Sequence, residues 1–271
     1  MGVLSKLFLR RAEGKRRWQW FFERLHKLAL RGMNMGPGDE LSQSGEAHLV
    51  AHVAKALAGR RGVRVLDVGA NKGDYAALLA RELAGLEDLR ILAFEPSPSL
   101  LAGLRARFPE GGPEGGPVQV LPFGLGQADE SRALHMDEPG SGLGSVYERK
   151  LAHRGMELGR QESVRLRRLD DVCREEGIER IDFLKLDVEG HELAVLQGAG
   201  ALLSEGRIDR LQLEFGGCHL DARVFLRDFW ELLSPRYALF RVLKDGLRPI
   251  AKYRERLEVF LTTNYYAERV R

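Results

Sequence analysis

The sequence Val-Arg-Val-Leu-Asp-Val-Gly-Ala-Asn-Lys-Gly at residues 63–73 decides the fold. Its first half is a β-branched and apolar run typical of a buried strand, and its second half places two glycines before the helical pattern Asp74–Leu83. Glycine allows a tight turn after the strand, and the following helix presents free backbone N–H groups. The segment therefore predicts a strand, a turn and a helix N-terminus that suits a carboxylate-bearing ligand.

Strand-length and helix-length patterns alternate from this segment onward, which is typical of βαβ crossovers and a parallel sheet. The fold class is therefore α/β, with one doubly wound sheet of seven strands in a domain that begins near residue 46. The predicted strands are Val63–Val68, Leu89–Phe94, Val118–Phe123, Ile181–Leu186, Arg210–Phe215, Ala238–Val242 and Leu257–Leu261.

Two stretches interrupt this alternation. Residues 109–117 form a short Gly/Pro near-repeat that predicts a flexible connector. Residues 127–168 hold many charges and glycines and predict no sheet strand beyond a short hairpin. Within them Gly140–Gly144 fits either a lid hinge or an exposed loop.

Residues 1–45 form a separate, basic extension before the domain at 46–271. Residues 1–35 hold nine Lys or Arg against Glu13 and Glu23, a net charge of +7, which leaves −4 for the rest of a chain whose total is +3. Apolar residues recur at helical spacing from Trp18 to Ala29, so an amphipathic basic helix is predicted. This helix fits packing against the domain or a second subunit, which would form a homodimer. It also fits an anionic membrane surface or nucleic acid.

The composition is that of a globular protein with a sizeable core, since 44% of its residues are hydrophobic and 30% are charged. No apolar run approaches the roughly 20 residues of a membrane span. Cys173 and Cys218 lack metal-ligand spacing and form no disulfide framework, and no secretory signal is recognised at the start. We therefore expect a cytoplasmic location.

The ends of the first three predicted strands indicate an adenosine-containing ligand. In an open α/β sheet, ligands bind outside the carboxyl ends of the strands. The spacing Gly69-x-x-x-Gly73 differs from the Gly-x-Gly-x-x-Gly of dinucleotide folds, so a nicotinamide or flavin cofactor is disfavoured. Glu95, which precedes Pro96 and Ser97, stands where an acidic side chain takes the ribose hydroxyls. Gly124 and Leu125, after the third strand, suit one edge of an adenine ring.

The end of the fourth predicted strand carries the candidate catalytic group. Asp187 and Glu189 fall on one side if the strand period of two continues, and His191 opens the next helix. Burying two carboxylates together is costly without a cation, a metal ion or a substrate proton, which favours a functional pair over a structural one. Glu214 after the fifth strand adds a further acid.

Three motifs together resemble the FkbM-type methyltransferase family: Asp-Val-Gly-Ala-Asn-Lys-Gly at 67–73, Phe-Glu-Pro-Ser-Pro at 94–98 and Leu-Lys-Leu-Asp-Val-Glu-Gly-His-Glu at 184–192. The resemblance implies a class I Rossmann-like methyltransferase fold whose mostly parallel sheet has an antiparallel last strand. It also implies S-adenosylmethionine as donor, S-adenosylhomocysteine as product and O-methylation of a sugar or other natural product. The residues predicted to bind the cofactor are Asp67, Gly69, Ala70, Asn71, Gly73, Glu95, Pro96, Ser97, Gly124, Leu125 and Asp187.

Three residues are predicted to accept the acceptor's proton: Asp187, Glu189 or His191. A divalent cation such as Mg²⁺ on Asp187, Glu189 and Glu214 is an alternative, but no metal site is predicted. Two rival functions remain. One is a nucleic-acid methyltransferase that grips RNA with the basic arm, although the sequence lacks the Pro-Pro-Tyr and Pro-Cys loops of such enzymes. The other is a noncatalytic adenosine-binding scaffold.

Overall fold

The computed structural model describes residues 11–36, 41–109 and 116–270. Most of the predicted Gly/Pro connector lies outside the described residues. In chain order the strands are Arg64–Val68 (β1), Arg90–Phe94 (β2), Val118–Leu121 (β3), Gly124–Gly126 (β4), Glu130–Met136 (β5), Arg160–Arg168 (β6), Phe183–Leu186 (β7), Arg210–Phe215 (β8), Tyr237–Leu243 (β9), Gly246–Ile250 (β10) and Thr263–Arg269 (β11).

The helices follow the alternation that the sequence predicts. The α-helices are Gln19–Gly32 (α1), Leu41–Ser44 (α2), Glu46–Leu57 (α3), Asp74–Glu82 (α4), Pro98–Arg107 (α5), Leu169–Glu175 (α6), Glu192–Gly198 (α7), Gly200–Ser204 (α8), Cys218–Ala222 (α9) and Leu226–Leu233 (α10). Short 3-10 turns lie at Arg16–Trp18, Ala152–Arg154 and Glu255–Leu257.

The central sheet has the strand order β10-β9-β11-β8-β7-β1-β2-β3. β1 pairs in parallel with β2 and with β7, so the three strands end together at Val68, Phe94 and Leu186. The chain therefore winds outward in both directions from the point between β1 and β7, which is where such sheets bind ligands.

Apolar side chains cover both faces of this sheet and form a three-layer sandwich. On one face α3, α4 and α5 contribute side chains such as Leu49, Leu79 and Leu104. On the other face α6, α7, α8 and α10 contribute side chains such as Val172 and Phe229. The strands therefore read as continuous apolar runs, as buried parallel strands do.

The predicted seven-stranded sheet is corrected to eight strands within the described residues, because β10 pairs antiparallel with β9 at the sheet edge. The antiparallel last strand is confirmed, since β11 pairs antiparallel with both β8 and β9. Its predicted position at Leu257–Leu261 is wrong. Leu257 and Phe260 instead pack against the core from outside the sheet, and the strand is Thr263–Arg269.

Residues 127–168 are more regular than the sequence predicts. β5 and β6 pair antiparallel over seven residue pairs, and β4 joins β6 to complete a second sheet of three strands. Leu134, Met136, Val164 and Leu166 form its small apolar core. The segment between β5 and β6, which includes Gly140–Gly144, lies against the candidate site described below.

The described part of the N-terminal extension contains the predicted helix, Gln19–Gly32, and meets the domain near the end of this helix. Leu30 and Met35 are buried, and the Asn34 side chain donates hydrogen bonds to the carbonyls of Ser44 and Val242. The domain boundary at residue 45 stays a prediction. Among the described residues, no helix has the length and apolar character needed to cross a bilayer. Both cysteines are free and buried, and the cytoplasmic location stays a prediction.

Candidate active site

One cavity of about 1130 Å³ opens at the carboxyl ends of β1, β2, β7 and β8. Its walls come from segments that the sequence singled out: the glycine turn, the residues after β2, the start of β4 and the turn after β7. The segment between β5 and β6 adds a further wall that includes Gly140–Gly144. The strand ends thus meet in one site, as the predicted topology requires.

The glycine turn after β1 is built for close backbone approach. Gly69 has a φ of +86°, and a Cβ atom there would lie 1.8 Å from the carbonyl oxygen of Asp187. No other residue fits this position. Ala70 and Asn71 line the cavity, and Asn71 keeps a buried side-chain oxygen without a hydrogen-bond partner among the described residues. Gly73 instead faces Leu104 and Phe108 of the neighbouring helix layer rather than the cavity.

Glu95 is held in place by hydrogen bonds from two backbone N–H groups. One carboxylate oxygen accepts a hydrogen bond from the Asn71 N–H and the other from the Ser97 N–H, each at 2.8 Å. Burial raises the pKa of Glu95 to about 6, although these two hydrogen bonds oppose the rise. Glu95 therefore lines the cavity as a fixed, partly desolvated carboxyl group whose charge is sensitive to mildly acidic pH.

The remaining predicted cofactor residues form the wall beside Glu95. Pro96, Ser97, Gly124 and Leu125 all line the cavity. A Cβ atom on Gly124 would lie 2.7 Å from Leu166, so glycine lets β4 pack closely against β6 here. The Ser97 hydroxyl contacts Glu162 and makes no side-chain cap for α5.

A buried lysine that the sequence reasoning missed links two of the predicted acids. The Nζ atom of Lys185 lies 3.4 Å from Asp67 Oδ1 and 3.2 Å from Asp187 Oδ2. Burial lowers the pKa of Lys185, but the charges of Asp187, Asp67 and Glu46 outweigh it and hold the pKa above its usual value. Burial raises the pKa of Asp67, which Lys185 opposes. Asp67 thus lies beneath the cavity as a partner of Lys185 rather than on the cavity wall.

Asp187 and Glu189 both line the cavity, although the reason differs from the predicted one. β7 ends at Leu186, and a turn follows in which Glu189 has a φ of +51° and Gly190 a φ of +105°. The side chain of Glu189 accepts a 2.6 Å hydrogen bond from the buried guanidinium of Arg149. The turn, not a continued strand, therefore brings the two carboxylates to one side.

His191 is buried at the cavity wall. Its Nδ1 atom lies 3.0 Å from the Tyr147 hydroxyl, whereas its Nε2 atom has no hydrogen-bond partner among the described residues. Burial lowers the pKa of His191, and Arg132 lowers it further. Because the usual pKa of histidine is about 6.5, the imidazole is neutral near pH 7.

Glu214 at the end of β8 completes an acidic group with Asp187 and Glu189. Each of the three offers one carboxylate oxygen, and these oxygens lie within 4.8 Å of one another. Burial raises the pKa of Glu214 well above its usual value, and the charges of Asp187 and Glu189 raise it further. The group could hold either a shared proton or a cation.

Acids outnumber bases around this site. Six acidic side chains line the cavity, against three basic ones: Glu46, Asp74, Glu95, Asp187, Glu189 and Glu214 against Lys72, Arg154 and Lys185. Glu46 accepts hydrogen bonds from the side chains of Ser44 and of Gln212 in β8.

Lys185 could have been recognised in the sequence, because it precedes Asp187 by two residues and strand side chains alternate. Glu46 and Arg149 carry no such signal, since the fold brings them from distant segments.

Comparison with known proteins places this site in a family. The family model described as Methyltransferase FkbM domain matches residues 67–242, which is more than half of the chain and contains every site motif. The chain belongs to the FkbM methyltransferase family. The matched residues begin within β1, end within β9 and include the second, small sheet.

Two curated relatives and one solved structure show how far the similarity extends. Methyltransferase sdnD of Sordaria araneosa is 32% identical over 49% of this chain and 59% of its own length. 2-O-methyltransferase NoeI of Sinorhizobium fredii is 28% identical over 53% of this chain and 60% of its own length. The structure of an FkbM methyltransferase from Methylobacillus flagellatus is 19% identical, with a TM-score of 0.48, over 92% of this chain and 60% of that one. The matches thus span about three fifths of these relatives.

Proposed function

We propose that this FkbM-family chain is an S-adenosylmethionine-dependent O-methyltransferase that acts on a hydroxyl group of a sugar, glycan or other natural product. The observation that carries the proposal is that Glu95, the glycine turn and the acidic group of Asp187, Glu189 and Glu214 all line the same cavity. The name of the Sinorhizobium relative, a 2-O-methyltransferase, supports oxygen as the atom that receives the methyl group.

The residues around the glycine turn and Glu95 fit S-adenosylmethionine. The excess of carboxylates favours a ligand with positive charge, and the unpartnered Asn71 oxygen offers an acceptor inside the cavity. Glu95 would accept hydrogen bonds from the ribose hydroxyls, while Pro96 and Leu125 would contact the adenine ring. When bound, this cofactor supplies a methyl group already activated by the sulfonium.

The protein's own task is then to align the acceptor hydroxyl and to accept its proton. Asp187, Glu189 and His191 remain the predicted bases. The Glu189 carboxylate already accepts a 2.6 Å hydrogen bond from Arg149, whereas His191 is neutral and able to accept a proton. Glu214 joins these candidates because its raised pKa brings a carboxyl group closer to the operating pH.

The direct test is methyl transfer from labelled S-adenosylmethionine to a panel of hydroxyl-bearing glycans and natural products, with RNA included. We expect label in at least one small hydroxyl acceptor and none in RNA. The variant Glu189→Gln/His191→Phe keeps the predicted cofactor residue Asp187 and should still bind S-adenosylhomocysteine. The triple variant that adds Asp187→Asn should lose turnover by roughly 10²–10⁴-fold. Unchanged turnover in that variant, or label in RNA alone, would contradict the proposal.

Treatment with a chelator distinguishes whether the acidic group holds a shared proton or a divalent cation. We expect turnover to persist in EDTA, because Lys185 already supplies a positive charge 3.2 Å from Asp187. Loss of turnover in EDTA, with recovery on addition of Mg²⁺, would instead assign a divalent cation to Asp187, Glu189 and Glu214.

A further inference from the structure

Helix α1 contacts the domain with one face and leaves part of its apolar stripe exposed, at Leu25 and Leu28. Leu30 is buried, whereas Leu25 and Leu28 are 48% and 67% exposed. On a helix with about 3.6 residues per turn, Leu25 lies roughly 140° around the axis from Leu30. The domain therefore occupies a different face from the apolar stripe, which remains open at Leu25 and Leu28.

Basic side chains border this stripe. Arg24, Lys27 and Arg31 fall within about 60° of one another around the helix, between Leu30 and Leu28. Glu23, the one acid of α1, lies roughly 20° from Leu30 and so on the side of the domain. The exposed surface formed by Leu25, Leu28, Arg24, Lys27 and Arg31 is here called the α1 surface.

The cations of the α1 surface differ from the paired arginines of the domain. Arg24, Lys27 and Arg31 form no ion pair within the part of the chain that the structure describes, although the Arg24 guanidinium lies 5.6 Å from the Trp20 ring centroid. Arginines of the domain are widely paired, as Arg90 is with Glu176 and Arg165 with Asp129. The positive charge of α1 is thus left available for an external anion.

The end of α1 is fixed at the same edge of the sheet as the cavity. The Asn34 side chain donates to the carbonyl of Val242, near the carboxyl end of β9, and the Gly36 N–H donates to the Thr262 carbonyl just before β11. Asn34 also donates to the carbonyl of Ser44, which lines the cavity. A partner on the α1 surface would therefore lie beside the edge where the cavity opens.

We propose that the α1 surface docks on an anionic lipid bilayer. Aliphatic side chains flanked by lysine and arginine suit the boundary between acyl chains and acidic headgroups, and exposed Trp20 suits the same interface. Leu25 and Leu28 offer no hydrogen bonds or stacking to nucleic acid. A second copy docked through this surface about a two-fold axis would bring like charges together. The docking is independent of the proposed methyl transfer.

The test is co-sedimentation of the full chain with vesicles of phosphatidylcholine, with and without phosphatidylglycerol. We expect binding to the vesicles that contain phosphatidylglycerol, little binding to phosphatidylcholine alone, and release by high salt. Arg24→Gln/Lys27→Gln/Arg31→Gln should lower the partition coefficient by roughly 100-fold, since each basic residue contributes about fivefold. Leu28→Ser should also lower it.

Matched variants control for charge and for surface hydrophobicity. Lys55→Gln/Arg105→Gln/Lys252→Gln removes the same charge elsewhere on the surface, and Leu232→Ser removes an exposed leucine of α10. Both should bind vesicles as the unmodified chain does, and thermal unfolding of every variant verifies folding. The proposal would be overturned if the full chain did not bind anionic vesicles, or if the control variants lost as much binding as the α1 variants. It would also be overturned if the α1 variants lost RNA binding or dimerisation while their vesicle binding was unchanged.

Discussion

At the scale of the residue, the raised pKa of Glu95 should make cofactor affinity depend on pH. Its pKa is raised to about 6, and only the ionised form accepts two hydroxyl hydrogen bonds. Affinity for S-adenosylhomocysteine should therefore be full near pH 7 and fall about tenfold per pH unit below the pKa of Glu95. Calorimetric titrations at pH 7 and pH 5 measure this dependence.

The variant Glu95→Gln serves as the control for that dependence. It cannot ionise, so its affinity should be roughly 10–100-fold lower at pH 7, as expected for lost hydrogen bonds to a charged group. The loss of affinity on going from pH 7 to pH 5 should also shrink. The same pH dependence in both proteins would show that Glu95 does not hold the ribose.

Gly69 gives a second prediction at this scale, one of stability. Gly69→Ala would place a methyl group against the Asp187 carbonyl at a φ of +86°, so the turn must open. We expect a loss of several kcal/mol in the free energy of unfolding by urea. Gly85→Ala is the matched control, because nothing lies within 4 Å of its added Cβ. Equal stability of the two variants would contradict the close approach of the two strand ends.

At the scale of the element, the turn after β7 depends on Glu192 and His219. The buried Glu192 carboxylate accepts hydrogen bonds from the Val188 and Gly190 N–H groups and lies 3.0 Å from His219 Nε2. Burial raises the pKa of Glu192, but His219 and backbone hydrogen bonds, including that from Val188, hold it below its usual value. This pair thus ties the β7 turn, with Asp187 and Glu189, to the segment after Glu214.

Glu192 and His219 should act as positioning residues. Glu192→Gln and His219→Phe should each lower kcat at least tenfold and leave affinity for S-adenosylhomocysteine within about twofold. The double variant should be little worse than either single one, because both remove one linkage. Additive losses, or a loss of cofactor affinity as large as the loss of kcat, would indicate separate or general structural roles. Glu205→Gln, on the exposed surface, is the control.

The elements also show where sequence patterns predict structure and where they do not. β1, β2, β7 and β8 are buried on both faces and read as apolar runs, so they were predicted within one or two residues. β11 was misplaced because buried Asn264 interrupts its apolar pattern, and its side chain is satisfied by Gln212. β10 was missed because Pro249 disfavours a strand, although sheet edges tolerate proline.

The small sheet was predicted only as a short hairpin, and its extent was missed for a different reason. Only alternate residues of β5 and β6 face its core, as Leu134, Met136, Val164 and Leu166 do. Their neighbours are mostly polar and are half-buried or exposed, so the average composition resembles a loop. Most cavity residues that directly follow a buried strand were predicted, although Lys185 within β7 was overlooked. Arg149, Tyr147 and Glu46 come from segments whose position only the fold defines.

At the scale of the whole molecule, the central claim is that the cavity at the switch point of the sheet binds S-adenosylmethionine and its product. The glycine turn, Glu95 and the acidic group come from four strand ends, so binding requires the assembled fold. The most direct measurement is a calorimetric titration of the full chain with S-adenosylhomocysteine at pH 7. The account predicts saturable binding of one molecule per chain with micromolar affinity. Absence of binding at millimolar ligand, from a chain shown to be folded, would contradict it.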